Sequence, residues 1–376
     1  MTLDEALKLA RANNGTIKAA QADIKASRAR VKQNQANFLP SLTLGANYND
    51  SVREIPNAQQ GNQSVKFNQT STDASLAWRP IDSGERLAQL RAARENASAT
   101  EANAVNTLRN VLFSVEQQYF ETLRAQELEK VANAQLARAA KVLDETKTRV
   151  QVGDAARREI LQAEADALNA KVNAIGARTR TSTNQAGLKA LIGANPTDKS
   201  PTLSTVKFDQ DLDLKGDLRD AINSGMRFRP DLIARRKSNN AQLQSLRVAQ
   251  IQAGVTWALD LSYSRQFTPS ASSDRQVFLS LSYPLFDGGA SKARVEEQRA
   301  SIDSSQYTLL QAERDAQREI EEAYLNHTQS QGRLEAAELA LKAAQLNYEA
   351  AEGSQKAGAA DLIEVITAQV SLVTAE

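Results

Sequence analysis

Two stretches of this chain read as very long helices. Glu85 to Val150 contains neither Pro nor Gly, and Ala290 to Gln355 contains no Pro and only Gly332 and Gly353. At about 1.5 Å per residue, each makes a helix of roughly 100 Å. Val105, Leu108, Leu112, Val115 and Tyr119 step by three and four, the spacing of a coiled-coil seam. Ile302, Leu309, Ala316 and Ala323 keep a period of seven. Each long helix meets a turn, at 150–156 and 355–361, and a return helix is expected over 155–191 and from 359 onward. Aromatic residues are only 5% of the chain, which suits helices packed closely through small side chains.

Before each long helix the apolar period drops to two. Leu42, Leu44, Ala46 and Tyr48 alternate with Ser41, Thr43, Gly45 and Asn47. The same alternation recurs at Ala74–Trp78, Val255–Tyr263 and Val277–Tyr283. Four amphipathic strands are expected, over 40–50, 70–79, 255–264 and 276–285, joined in pairs by polar loops. Helices are expected over 3–37 and 218–253, the latter containing Arg229-Pro230-Asp231-Leu232, with Pro in a first turn.

These elements occur twice. Val115 falls on Ile320, Tyr119 on Tyr324 and Asp82 on Asp287 at one offset. Leu3, Ala6 and Tyr48 fall on Leu218, Ala221 and Tyr263 at a slightly larger one. The chain therefore divides into a first repeat, 1–206, and a second, 216–376.

Composition removes several classes of function. There is no Cys and one His, His327, so thiol chemistry, Cys-based metal sites and most catalytic triads are excluded. Lys and Arg number 46 against 45 Asp and Glu, leaving no basic surplus for nucleic acid. No run of apolar residues is long enough for a spanning helix. No cofactor, metal site or catalytic constellation is expected, and the chain does not read as an enzyme. Met1–Glu5 is not a signal segment, so any export signal is expected to precede this numbering. The second repeat stops soon after its turn, so a C-terminal continuation is also expected.

The strands constrain function most. Four cannot close a barrel, because about eight is the smallest common closed size. Left open, they expose edges and an apolar face. Three copies bring twelve strands, which close, and set the long helices side by side as a hollow tube.

In this order the residues resemble the TolC family of outer-membrane efflux channels. The resemblance is carried by Leu3-Asp4-Glu5-Ala6-Leu7, Phe38-Leu39-Pro40-Ser41-Leu42, Arg229-Pro230-Asp231-Leu232, Pro284-Leu285-Phe286-Asp287-Gly288-Gly289 and the two Gly-x5-Glu turns. It implies a mixed α and β fold dominated by long helices. A trimeric α-helical barrel would join a 12-stranded β-barrel, with four strands from each protomer. It further implies an outer-membrane channel reaching into the periplasm, the exit duct of a tripartite efflux or type I secretion system. The partners implied are two further copies of the chain, outer-membrane lipid, a periplasmic adaptor, and an inner-membrane transporter of the RND, ABC or MFS type. Glu159 and Glu364 stand where the best-known members carry Asp, and Thr367 replaces a second acidic residue. The other reading, a soluble or periplasmic coiled-coil scaffold or adaptor, explains the helices and leaves the four strands without a purpose.

The residues singled out each carry two readings. Gly153 and Gly358 end helices, and on the second reading also form, with Val152, Asp154, Ala357 and Ala359, small-residue tips where an adaptor docks; both can hold at once. Glu159 and Glu364 are solvated helix residues, or rings at a pore constriction. Tyr48, Trp78, Trp257, Tyr263 and Tyr283 are core aromatics, or a membrane girdle. Asp82 and Asp287 are expected to cap the long helices.

Overall fold

The computed structural model describes residues 1–55, 63–153, 156–199, 202–204, 217–357 and 359–376. In chain order the elements are α1 (Leu3–Asn13), α2 (Gly15–Ala36), β1 (Ser41–Ile55), β2 (Gln63–Asp82), α3 (Glu85–Gln151) and α4 (Arg157–Ile192), then α5 (Leu218–Phe228), α6 (Pro230–Ala253), β3 (Thr256–Thr268), β4 (Ser272–Ser282), α7 (Ala290–Lys356) and α8 (Leu362–Ala375). They fold into two compact units. One holds Met1–Ala19, Asn106–Phe228 and Asp315–Glu376; the other holds Ala20–Val105 and Arg229–Arg314. Each unit therefore draws on both halves of the sequence.

The long helices run unbroken for 67 residues each. The two other helical tracts, expected to be continuous, are both interrupted. Asn14 ends α1 with an extended backbone, and its side-chain oxygen accepts from Thr16 N–H at 2.9 Å to start α2. Its amide also donates to the Leu191 carbonyl at 2.8 Å. Pro230 begins α6 because its missing N–H costs nothing at a first helical position. Beside it, burial raises the Asp231 carboxyl, but the Arg229 guanidinium, 2.9 Å away, outweighs this and holds it below the usual range.

In the helical unit, α3 and α4 pair through small residues. The buried positions of α4 are Ala163, Ala170, Ala174, Thr181, Leu188 and Ile192, which step by seven and four. Facing them, Val115, Tyr119, Thr122 and Ala125 of α3 are buried. The expected seam is thus half right: Leu112, Val115 and Tyr119 face the core, whereas Val105 is half exposed. Side chains this small let backbones approach closely, so polar groups reach across. Thr181 donates to the Ala125 carbonyl at 3.1 Å, and Gln118 to the Asn184 carbonyl at 3.2 Å. Far from the turn of this hairpin Ala6, Ala10, Val115, Tyr119, Leu188, Ile192 and Leu203 form one cluster. The Tyr119 hydroxyl donates to the Ser204 carbonyl at 2.7 Å, satisfying the one polar atom of an otherwise apolar side chain.

In the other unit, parts of α2, α3, α6 and α7 accompany the sheet. They are joined by ion pairs, Arg28–Glu101 at 2.8 Å, Arg236–Glu313 at 2.7 Å and Lys237–Glu95 at 3.2 Å, and by an Asn239–Ser305 hydrogen bond. The four strands form one antiparallel sheet in the order β1-β2-β3-β4. Strands β1 and β2 extend well past the expected 40–50 and 70–79. Ladder hydrogen bonds continue through Asp50, Arg53 and Glu54, where alternation of apolar residues has ended. Conversely β4 stops at Ser282, before the expected 285, because Pro284 cannot donate to a ladder. Pro80 acts likewise within β2, where the register against β3 shifts between Trp78 and Ile81.

Candidate functional site: a two-faced sheet and two helical tips

Residues directly opposite in an antiparallel pair share a face, so the register sorts the sheet. One face carries Leu42, Leu76 and Tyr263 in one row, Leu44 and Ala74 in the next, and Leu261 with Val277, Leu259 with Leu279 and Trp257 with Leu281. The other carries Thr43, Ser75, Ser264 and Asp274, and beside them Gly45, Asp73, Gln266 and Ser272. Phe278 is an apolar exception on that polar face.

Among the described residues, nothing covers the apolar face. Leu42, Leu44, Val277, Leu279 and Leu281 are between 70 and 78% exposed. A contiguous patch of this kind on a single chain marks a surface meant for lipid or protein. On the polar face Arg79 pairs with Asp260 at 2.7 Å. Gly45 leaves room for a carboxylate, since a Cβ would come within 2.7 Å of Asp73 Oδ1. This is a sheet turned inside out relative to a soluble protein.

The five expected girdle aromatics lie as follows. Tyr48, Trp78, Trp257 and Tyr263 share the apolar face by register, and Tyr283 lies just past the end of β4. Tyr48 and Tyr283 are well exposed, and Trp78 anchors its indole N–H to the Phe38 carbonyl at 3.0 Å.

Asp82 and Asp287 lie where strands become long helices, each a little upstream of the cap position. Asp82 accepts from Gly84 N–H at 2.8 Å and from Arg86. Asp287 accepts from Gly289 N–H at 3.0 Å and Ser291 N–H at 2.8 Å. Bonds from the Ser291 hydroxyl and backbone hold the Asp287 carboxyl below its ordinary range.

The two tips differ. In the first, Gly153 donates to the Val150 carbonyl at 3.2 Å with φ of +82°. A Cβ there would meet open space, so it is the backbone conformation that calls for Gly, not crowding. Val152 beside it is 74% exposed. Ala156 precedes α4 and has no side chain to cap it; the Glu159 carboxylate accepts from Ala156 N–H at 3.1 Å. In the second tip, Ala357 donates to the Gly353 carbonyl and Ala359 to the Ser354 carbonyl. Here Asp361 is the cap, accepting from Ile363 N–H at 3.4 Å, and Glu364 is exposed in the first turn of α8. Glu159 and Glu364 both take the third helical position, not the deeper place expected from helices beginning at 155 and 359. Asp154 and Gly358 lie outside the described residues. Behind the second tip Val365 and Ala368 pack on Ala351 and Tyr348, and Arg138 grips Glu376 at 2.9 Å. Among the described residues no cluster of His, Asp or Glu could hold a metal ion. No described helix is long and apolar enough to cross a membrane.

A family model described as outer membrane efflux protein matches residues 6–194 and 221–376. The chain belongs to that family. Protein CyaE of Bordetella pertussis is 28% identical over 324 residues, 83% of this chain and 66% of that protein. Outer membrane protein TolC of Escherichia coli is 23% identical over 382 residues, 98% of this chain and 76% of that protein. The CmeC outer membrane channel of Campylobacter jejuni superposes with a TM-score of 0.87 at 17% identity, over 99% of this chain and 80% of that one. Membership makes this an outer-membrane protein extending into the periplasm and serving as an exit duct in efflux or secretion. The family is one of transport proteins, and its members work with adaptors and inner-membrane transporters.

The left-handed backbone at the first tip gives a direct test. Gly153→Ala should destabilise the hairpin by about 1 kcal/mol, whereas Gly153→Asn should cost less because Asn tolerates that conformation. Hydrogen exchange of amides at 148–160 reads the difference; equal protection in both variants would show that the turn relaxes freely.

Proposed function

We propose that three copies of this chain close their sheets into a single 12-stranded β-barrel. Their long helices then form an α-helical barrel, the exit duct of a tripartite efflux or type I secretion system. The observation that carries this reading is the sheet: its apolar side chains are exposed, its polar side chains are on the opposite face, and among the described residues β1 and β4 are unpaired edges. Joining the β4 edge of one copy to the β1 edge of the next removes every edge, and lipid covers the apolar face. On this reading 1–206 and 216–376 are duplicated halves. Tyr48, Trp78, Trp257, Tyr263 and Tyr283 form the membrane girdle. A conduit of this kind performs no catalytic step and needs no cofactor. A soluble scaffold would leave an apolar sheet face in water. The chain purified in mild detergent should be a trimer that dissociates on heating; a monodisperse monomer would end this reading.

Glu159 and Glu364 would form rings at the periplasmic constriction, with unequal weight. Glu159 is half-buried and engaged in capping its own helix, while Glu364 is exposed. Glu364→Gln should therefore lower cation preference in planar bilayers more than Glu159→Gln, whose amide oxygen still caps. Unchanged selectivity in both variants would leave the two as ordinary surface carboxylates.

The tips, Val152-Gly153-Asp154 and Ala357-Gly358-Ala359, would be the adaptor docking points, six per trimer. An inner-membrane transporter of the RND, ABC or MFS type would complete the assembly. Since side chains at Gly153 would be strained regardless of docking, bulk belongs at its exposed neighbours. Val152→Trp with Ala357→Trp should leave the trimer intact and abolish adaptor pull-down. Full pull-down would move docking elsewhere.

A further inference from the structure

The upper part of the β3–β4 hairpin carries two guanidinium groups on the apolar face. Tyr263 and Arg275 are directly opposite in the register, and the Arg275 guanidinium lies 5.7 Å from the Tyr263 ring centre. Two residues along β3, Arg265 shares that face, with its guanidinium 5.7 Å from the Phe267 ring centre. Arg265 lies opposite Ser273, which makes Arg265 and Arg275 diagonal neighbours, at a Cα separation of about 7–8 Å. Two guanidinium groups on neighbouring rows of one face can both reach a single anion between them.

The hairpin does not supply one. Its carboxylates, Asp260 and Asp274, lie on the polar face opposite Phe278 and Ser264, and Asp260 is already paired with Arg79. On the other side β2 presents Ala74 to Arg265 and Leu76 to Tyr263. Among the described residues neither arginine makes an ion pair. Each is instead stacked near an aromatic ring, which orients a guanidinium without neutralising it.

We propose that Arg265 and Arg275 form a clamp for the phosphate of an anionic membrane lipid. The same face supplies the rest of the ligand site. Val277, Leu279 and Leu281 continue from Tyr263 and Arg275 as an exposed apolar strip, with half-buried Leu261 opposite Val277, along which acyl chains would lie. A paired guanidinium fork matches phosphate oxygens better than a point charge does. Continuity of cation and apolar strip selects a lipid over a free phosphate ion, which would gain nothing from the leucines. This inference rests on the sheet's apolar face being the membrane collar.

The test uses the full chain in detergent, titrated with phosphatidic acid and, separately, with phosphatidylcholine, and read by native mass spectrometry. The wild type should retain phosphatidic acid preferentially, and Arg265→Gln with Arg275→Gln should weaken that retention about tenfold. Arg265→Lys with Arg275→Lys should keep part of it. Equal retention by the Gln variant overturns the clamp, as does abolition of the preference by millimolar inorganic phosphate, which would make the site a free-anion site. Reconstitution into phosphatidylcholine nanodiscs separates the two readings. A wild type that inserts but shows no lipid preference overturns the clamp alone, and one that fails to insert overturns the collar as well.

Discussion

The rest of this protein depends on a four-stranded sheet that hides neither its apolar face nor its edges. In water such a sheet exposes several leucines and two rows of unpaired backbone groups, and each is costly. In the proposed assembly both costs vanish, because lipid covers the face and further strands join the edges. The chain's membrane location is thus carried by side-chain alternation over about ten residues per strand. No described helix is long and apolar enough to take part, and mean hydropathy gives no sign of it.

The helices answer a different constraint. Their buried positions are mostly Ala and Thr at seven- and four-residue spacing, so stability comes from many close contacts of small residues. Hydroxyl and amide groups bridge to carbonyls of the neighbouring helix. A seam without bulky knobs binds each helix weakly per residue and spreads the stabilisation along its length. It also leaves Leu161, Leu168, Val172 and Ile175 of α4 exposed, a second stripe at coiled-coil spacing.

At the tips, two turns with matching sequence satisfy different N–H groups through different carboxylates. Each return helix needs an acceptor for its first N–H groups. Ala156 has none, and Glu159 accepts instead from the N–H of Ala156 itself; Asp361 has one, which accepts from Ile363 N–H inside the first turn of α8, where Glu364 is exposed. Aligning the two glutamates hides this distinction, and the contrast between Ala156 and Asp361 is the sequence signal that could have revealed it. Likewise a positive φ is sufficient reason for Gly at 153, whether or not a partner also approaches there.

Element type and order were legible in the sequence because they rest on period: two for the strands, about three and a half for the helices. The faces of β1 to β4 were legible for the same reason. Boundaries were less so. The break at Asn14 depends on a side chain finding Leu191, far along the chain, and the upper halves of β1 and β2 are held by backbone pairing that no apolar pattern records. Which row each residue joins, and hence that Arg265 and Arg275 stand together beside Tyr263 and away from every carboxylate of their hairpin, was decided only by register. Period is a property of neighbours along the chain, whereas register and capping are settled by groups that only folding brings within hydrogen-bond reach.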